Sequence, residues 1–238
     1  MLRKISLIAV LAIFVAVPHV HSQETSKNFV LYGATGVKNL EDWRLLVAER
    51  LVGTNKVKDW PIRTKVHLVN SVQEAQRHYS VASLGMTRSR IDRGKLIEVT
   101  VMVRCDVTNW KEDVLTHELA HAWVRYMYGH SIPIYIDEGI AQYAESLTSV
   151  TKRIRLCNDR ILDKHFVDVF WGRSYLKNGS QNNDCYTLAL YMVYHLKKKG
   201  HDKFLKFCEG GCSSTALWNN YRITTSQLKA EMKVKLPD

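Results

Sequence analysis

What this chain lacks narrows its reading first. Beyond its opening residues, no apolar run reaches the roughly 20 residues that a helix needs to cross a bilayer. The nearest, Cys185 to Leu196, runs directly into Lys197-Lys198-Lys199. No internal repeat and no low-complexity linker interrupts the 238 residues, so neither a solenoid nor a string of modules is expected, but one integrated unit. Nothing resembles a nucleic-acid-binding module, and no nucleic-acid partner is expected. The net charge of +11 is spread along the chain rather than gathered in a tail. Such an excess usually means a solvated basic surface, and it leaves open a loose association with anionic membrane or wall polymer. A soft metal site at Cys208-Glu-Gly-Gly-Cys212 has no second close cysteine pair to complete it.

The opening "MLRKISLIAVLAIFVAVPHVHSQ" reads as a targeting segment. Arg3 and Lys4 precede an apolar run from Ile5 to Val17, Pro18 breaks it, and Val20 and Ser22 suit a cut between Ser22 and Gln23. Residues 1–22 are therefore expected to be a signal peptide, and the mature chain to be secreted or periplasmic. Losing Arg3 and Lys4 would leave a charge of +9. About 216 residues remain, enough for one domain with a sizeable core or two lobes around a cleft. An exported chain meets oxidising conditions. Of the five cysteines, Cys105 ends the strand-like "IEVTVMVRC" and reads as a buried apolar residue, leaving Cys157, Cys185, Cys208 and Cys212 for two possible bridges of open pairing.

Periodicity divides the chain in two. "NFVLYGA" and "RTKVHLV" read as strands, and "RSRIDRGKLIEVTVMVR" as a hairpin turning at Arg93-Gly94. "NLEDWRLLVAERLVG" reads as a helix capped by Asn39 and ended by Gly53, with Leu40, Trp43, Val47 and Leu51 on one face. "SVQEAQRHY" reads as a short helix. Past Cys105 the pattern turns helical. Asn109 with Glu112 forms a capping box opening a helix over about Trp110–Tyr128 that stops at Gly129. "HSIPIY" connects it to a second helix over about Ile136–Leu147, and "CYTLALYMVYHLKKKG" is a third. Shorter helices are expected around Lys203–Phe207, Thr215–Tyr221 and Ser226–Lys235. The expected fold class is α+β: a small N-terminal sheet lobe with helices, about residues 23–106, then a mainly helical lobe, about 107–238, within a single domain spanning 23–238.

"THELAHAW", Thr116 to Trp123, carries the chemistry. Four residues apart on a helix, His117 and His121 share a face and can converge on one metal ion. Glu118, one step round, can reach a water on that ion without binding the ion itself. A metal-assisted hydrolase needs that arrangement: the ion acidifies the water and the carboxylate takes its proton. A hydrogen-bonded pair of core histidines is the alternative. A catalytic zinc usually takes three protein ligands, and Glu138 stands 17 residues after His121, past a connector containing Pro133. Gly139 would let this second helix approach the first closely, and Ile134, Ile136, Ile140 and Ala141 would bury it. Gln142, one turn after Glu138, could orient His117, whereas Asp137 reads as a helix-start acid. His67, His78, His130, His165, His195 and His201 stand alone.

The arrangement "HELAH…DEGIAQY" resembles the gluzincin class of zinc metallopeptidases, particularly its compact peptidase-MA-like families. The likeness is specific over about Asp113–Glu145 and looser over the preceding strands and the "YTLALYMVYHLKKKG" helix. It implies a zincin-like fold, one Zn2+ held by His117, His121 and Glu138, Glu118 as general base and later proton donor, and a protein or peptide substrate. It also implies that the strand Ile97–Val103 forms the cleft's edge and pairs with extended substrate, and it makes Tyr186 or Tyr191, on a later helix, a candidate for stabilising the oxyanion, with a core role as the alternative for each. The metzincin pattern fails, since Val124 and Met127 stand where it wants glycine and histidine. The expectation is thus an exported zinc-dependent peptidase. The rivals are a zinc amidase acting on wall peptides, a zinc-containing binding or adhesion module without turnover, and a helical export protein with fortuitous histidines.

Overall fold

Short runs of β-branched and aromatic residues build the N-terminal sheet, and the computed structural model describes residues 23–33, 40–53, 59–172 and 179–236. The expected leader, its cleavage site and the Asn39 cap lie outside the described residues. Strands β1 (Gln23–Thr25), β2 (Phe29–Gly33), β3 (Thr64–Val69), β4 (Gly85–Asp92) and β5 (Lys95–Arg104) form one sheet in the order β1-β2-β3-β5-β4. The inner strands β2, β3 and β5 are parallel, and β1 and β4 are antiparallel edges. Leu31, Val66 and Val101 lie in one row across the inner strands and enter the main core. Met102 on the opposite face joins Val69 and Ala75 beneath α2 (Val72–Tyr79), which Ser71 caps.

The β4–β5 hairpin turns where expected, because Arg93 (φ 48°) and Gly94 (φ 77°) both adopt the left-handed conformation of a tight two-residue turn. That turn overturns the expected role of Ile97–Val103. It lays β4 along the free side of β5, so β5 is hydrogen-bonded on both sides and β4 is the edge. Helix α1 (Leu40–Val52) buries Val47, Ala48 and Leu51 in the same core as Leu31, Val66 and Val101, and Gly53 (φ 81°) ends it.

The helical part begins differently from the sequence expectation. Asn109 is left-handed (φ 58°) and makes no side-chain cap. A capping side chain needs an extended backbone to reach the first free N–H groups, so the box with Glu112 does not form. Instead, Trp110–Leu115 is a widened π-type coil that passes straight into α3 (Thr116–Tyr128), and Gly129 follows it. The second helix, α4 (Ile134–Tyr143), is shorter than expected, because Ser146 caps a separate α5 (Leu147–Ile154). Helix α6 (Asp159–Trp171), capped by Asn158, was not anticipated. Then follow α7 (Gly179–Lys199), α8 (His201–Glu209), α9 (Ser214–Tyr221) and α10 (Thr225–Val234).

Burial of α4 also departs from expectation. Ile136, Ile140 and Ala141 are buried, but Ile134 at the first turn is 46% exposed. Gly139 serves α7 rather than α3: a Cβ there would lie 2.7 Å from the carbonyl carbon of Ala189. One core runs from Phe29 to Met232 through sheet and helices alike. The fold is α+β, with an N-terminal sheet and a helical C-terminal part. All five cysteines are unbridged thiols, against the two bridges expected; Cys157, Cys185, Cys208 and Cys212 are buried among apolar side chains and Cys105 is half-buried. Among the described residues no helix is long and apolar enough to cross a membrane.

Candidate metal centre

Helix α3 lies against β4 and β5, and α4 folds back across it after the Pro133 turn. The four-residue spacing brings the His117 and His121 Nε2 atoms to 3.2 Å from each other. Glu138, in the second turn of α4, places Oε2 3.4 Å from the first and 3.7 Å from the second. A tetrahedral ion with bonds of about 2.0–2.1 Å needs ligand atoms roughly 3.3–3.4 Å apart. The three atoms match that triangle, and a two-histidine, one-carboxylate set leaving a position open suits catalytic zinc. Among the described residues this is the one such group.

Each imidazole is aimed by its other nitrogen. His117 Nδ1 lies 2.8 Å from Glu145 Oε1, and His121 Nδ1 lies 2.9 Å from Asp137 Oδ1. A carboxylate there selects the Nδ1–H tautomer and turns the Nε2 lone pair toward the shared centre. Arginines hold both carboxylates: Arg125 donates to Asp137 at 2.7 Å, and Arg153 donates to Glu145 at 2.6 Å. Burial alone would lower both imidazoles, but the partnering carboxylates outweigh it. His117, facing Glu138 and Glu145, is raised to about 9, and His121, facing Asp137 and Glu138, is raised well above its ordinary value. Glu138 shows the converse: burial would raise it, yet the two histidines hold it far below the usual carboxylate range.

Glu118 is buried beside this triangle. Its side chain rests on the bare backbone of Gly85 in β4, where a Cβ would stand only 2.6 Å from Glu118 Cγ. The Thr87 hydroxyl, two residues along the same strand, lies 2.7 Å from Oε2. Burial raises the Glu118 carboxyl, against the pull of His121 and His117. A raised carboxyl beside a polar cleft can both accept and return a proton. The cleft, about 560 Å³, is walled by Leu84, Val107, Val114 and Leu156 and floored by His117, Glu118 and Glu138.

The four residues singled out by the motif therefore meet at one place. Of the two tyrosines, Tyr186 lines the cleft. Tyr191 does not reach it; it is buried and its hydroxyl donates to Met232 O at 3.0 Å. Gln142 does not orient His117, since its amide donates to Tyr186 O and Glu138 O. Glu145 takes that place. The available signal was its spacing, seven residues or two helical turns beyond Glu138. Asp137 is more than a helix-start acid, because it positions His121. Among the described residues six further histidines lie outside the cluster; of these His130 is beside Ser89, His165 near Asp184 and His195 near Glu231. In comparison with known proteins, no family model matches the chain and no curated protein matches it.

Proposed function

We propose that this chain is an exported zinc-dependent peptidase of the gluzincin type, with His117, His121 and Glu138 as metal ligands and Glu118 as general base. The observation that carries the proposal is the triangle of two Nε2 atoms and one Oε2 atom beside a buried carboxylate that is not part of it. Holding a metal does not call for Glu118; hydrolysis does. Bound zinc would supply Lewis-acid polarisation and acidify a water at the site. The protein's own part is positional. Asp137 and Glu145 keep the imidazoles aimed, and Leu84, Val107, Val114 and Leu156 line the cleft with apolar surface for a bound chain. Glu118 Oε2, oriented by Thr87, receives the proton released by the attacking water and passes it to the departing amine. Among the described residues β4 is the sheet's edge, and an extended peptide added there as a further strand would run past the strand that seats Glu118.

The test is metal content and turnover of the purified protein, wild type beside Glu118→Gln, on an unfolded protein substrate. One zinc in both, with activity only in the wild type, is the expected outcome. Zinc in both with cleavage in neither sinks the peptidase reading and leaves a binding module. No zinc in correctly folded protein removes the metal assignment itself.

A further inference from the structure

Among the described residues that line the cleft, Arg153 is the one lysine or arginine. It stands near the end of α5, whose Val150 and Ile154, one turn apart, are buried and fix the helix. The start of α5 is tied to the site as well, since Asp113 accepts from the Ser149 hydroxyl at 3.0 Å and from the Ser146 N–H at 3.3 Å. The guanidinium is therefore carried on an anchored element. Its side chain is 39% exposed, whereas that of Glu145, its ion-pair partner, is 3% exposed. The pair is one-sided, with the acid sealed below and the guanidinium open to the cleft.

Hydrogen-bond capacity singles out the same group. Glu138 faces the two imidazoles, Glu145 Oε1 takes His117 and Arg153, Glu118 takes Thr87, and Asp113 takes Ser146 and Ser149. An arginine presents five N–H donors in a planar fork. Arg153 uses Nη1 for both its contacts, donating to Glu145 Oε1 at 2.6 Å and to Gln142 Oε1 at 3.3 Å. Its Nε and Nη2, which form one edge of the fork, have no acceptor among the described residues. That edge matches the two oxygens of a carboxylate. The relay of 2.8 Å and 2.6 Å from His117 Nδ1 through Glu145 Oε1 puts it within about 10 Å of His117 Nε2, a reach of roughly three extended residues at most. Building on the peptidase reading above, we propose that Arg153 is a specificity residue that holds a carboxylate of the bound peptide, within about three residues of the bond to be cut. The carboxylate is a free C-terminus or an acidic side chain, which offer the same two oxygens. Nη1 stays on Glu145 while the Nε–Nη2 edge takes the substrate.

The test is binding, measured by calorimetry on zinc-loaded Glu118→Gln protein so that no turnover intervenes. The probes are acetyl-Ala-Leu-Leu-Ala as free acid and as amide, and the amides of acetyl-Ala-Leu-Leu-Glu and acetyl-Ala-Leu-Leu-Gln. A C-terminal source makes the free acid bind at least about 10-fold tighter than its amide; a side-chain source does the same for the glutamyl over the glutaminyl amide. Adding Arg153→Gln should bring that ratio close to one. Any general loss passed through Glu145 to His117 weakens all four peptides alike and leaves the ratios readable. Arg153→Lys, which keeps a cation but not the fork, should retain part of the preference. Equal binding within both pairs, or no binding at all, overturns the inference with Arg153 intact, so that result does not depend on whether a variant folds. A preference that survives Arg153→Gln also overturns it, because the carboxylate then binds elsewhere, for instance on the ion. Wild-type cleavage of the same peptides reports separately on the reading beneath. Cleavage without preference removes the carboxylate site alone, and preference without cleavage removes the peptidase alone.

Discussion

Replacing Gly85 by alanine separates the proposed base from the metal without substituting the base or any ligand. The added Cβ would stand 2.6 Å from Glu118 Cγ and 2.8 Å from Cδ, whereas ordinary contact begins at 3.4 Å. Glu118 must then withdraw by about 0.8 Å, the difference between the ordinary and the observed separation. It cannot simply slide along the strand, because Thr87 holds its Oε2 at 2.7 Å. A misplacement near 1 Å at a reacting group costs about 10²-fold in rate, or roughly 2.7 kcal/mol of barrier. The metal triangle is built from α3 and α4 and does not involve β4, so zinc content should stay at one per chain. The assay is kcat on a fluorescence-quenched peptide, run with metal analysis and a melting curve to establish that the variant is folded and loaded. A loaded, folded Gly85→Ala protein with wild-type kcat would refute the placement of Glu118 as base. Glu118→Gln in the same assay gives the floor against which the loss is judged.

Removing either orienting carboxylate, Asp137→Asn or Glu145→Gln, should weaken zinc binding by about 10–100-fold, read by chelator competition; unchanged affinity would mean that these contacts do not aim the imidazoles. Zinc needs neutral imidazoles, and both histidines are raised, His117 to about 9, so binding at pH 7 should release about two protons and tighten as pH rises toward 9. Calorimetry in buffers of different ionisation enthalpy measures that release, and buffer-independent heats would contradict it. For the metal-free protein the sign is opposite. A raised histidine stabilises the fold below its unfolded value near 6.5, and that support is lost as pH climbs through about 9. Lys197 is buried and lowered to about 8, so between about 8 and 10.5 the unfolded chain holds a proton that the folded chain has released, and stability gains on the order of 3 kcal/mol across that window. Because the histidine loss falls in the same range, the readout is the difference in urea stability between wild type and Lys197→Met, which should move in favour of wild type by that amount between pH 8 and pH 10.5.

What could be read from the chain was what neighbours in sequence decide. The Arg93-Gly94 turn needs only two residues willing to take positive φ, and the histidine pair needs only the helical repeat. The misreadings share the opposite character. Asn109 is a good capping residue by type, but the wide coil over Trp110–Leu115 holds it left-handed, where its side chain cannot cap. Gly139 was assigned to the wrong neighbour because the chain from Ile134 to Tyr143 does not reveal that α7 passes against it at Ala189. The edge role of Ile97–Val103 came from the family resemblance and not from the residues, whose own hairpin pattern lays β4 along it. Gly85 and Thr87, which seat Glu118, lie about thirty residues upstream on that same strand, and no local spacing links them to it.

The site's dependence on α4 follows from the same geometry. Glu138 supplies a ligand, Asp137 beside it turns to His121, and Glu145, just past the end of α4, reaches His117. The ligand and both orienting carboxylates thus come from nine consecutive positions, Asp137 to Glu145. Rotating this segment about its axis would displace all three together, so the metal centre is only as exact as the seating of α4. Gly139 sets that seating from the far side, by letting the backbone of α4 press onto Ala189 of α7. Arg50 helps fix the end of the segment by donating to Glu145 O at 2.8 Å. The "DEG" triplet therefore divides its labour: Asp137 for one histidine, Glu138 for the ion, and Gly139 for the helix that holds both in place. The long apolar stretch of α7, Leu188 to Val193, is in this sense part of the metal centre, although none of its side chains approaches the ligand triangle as a partner.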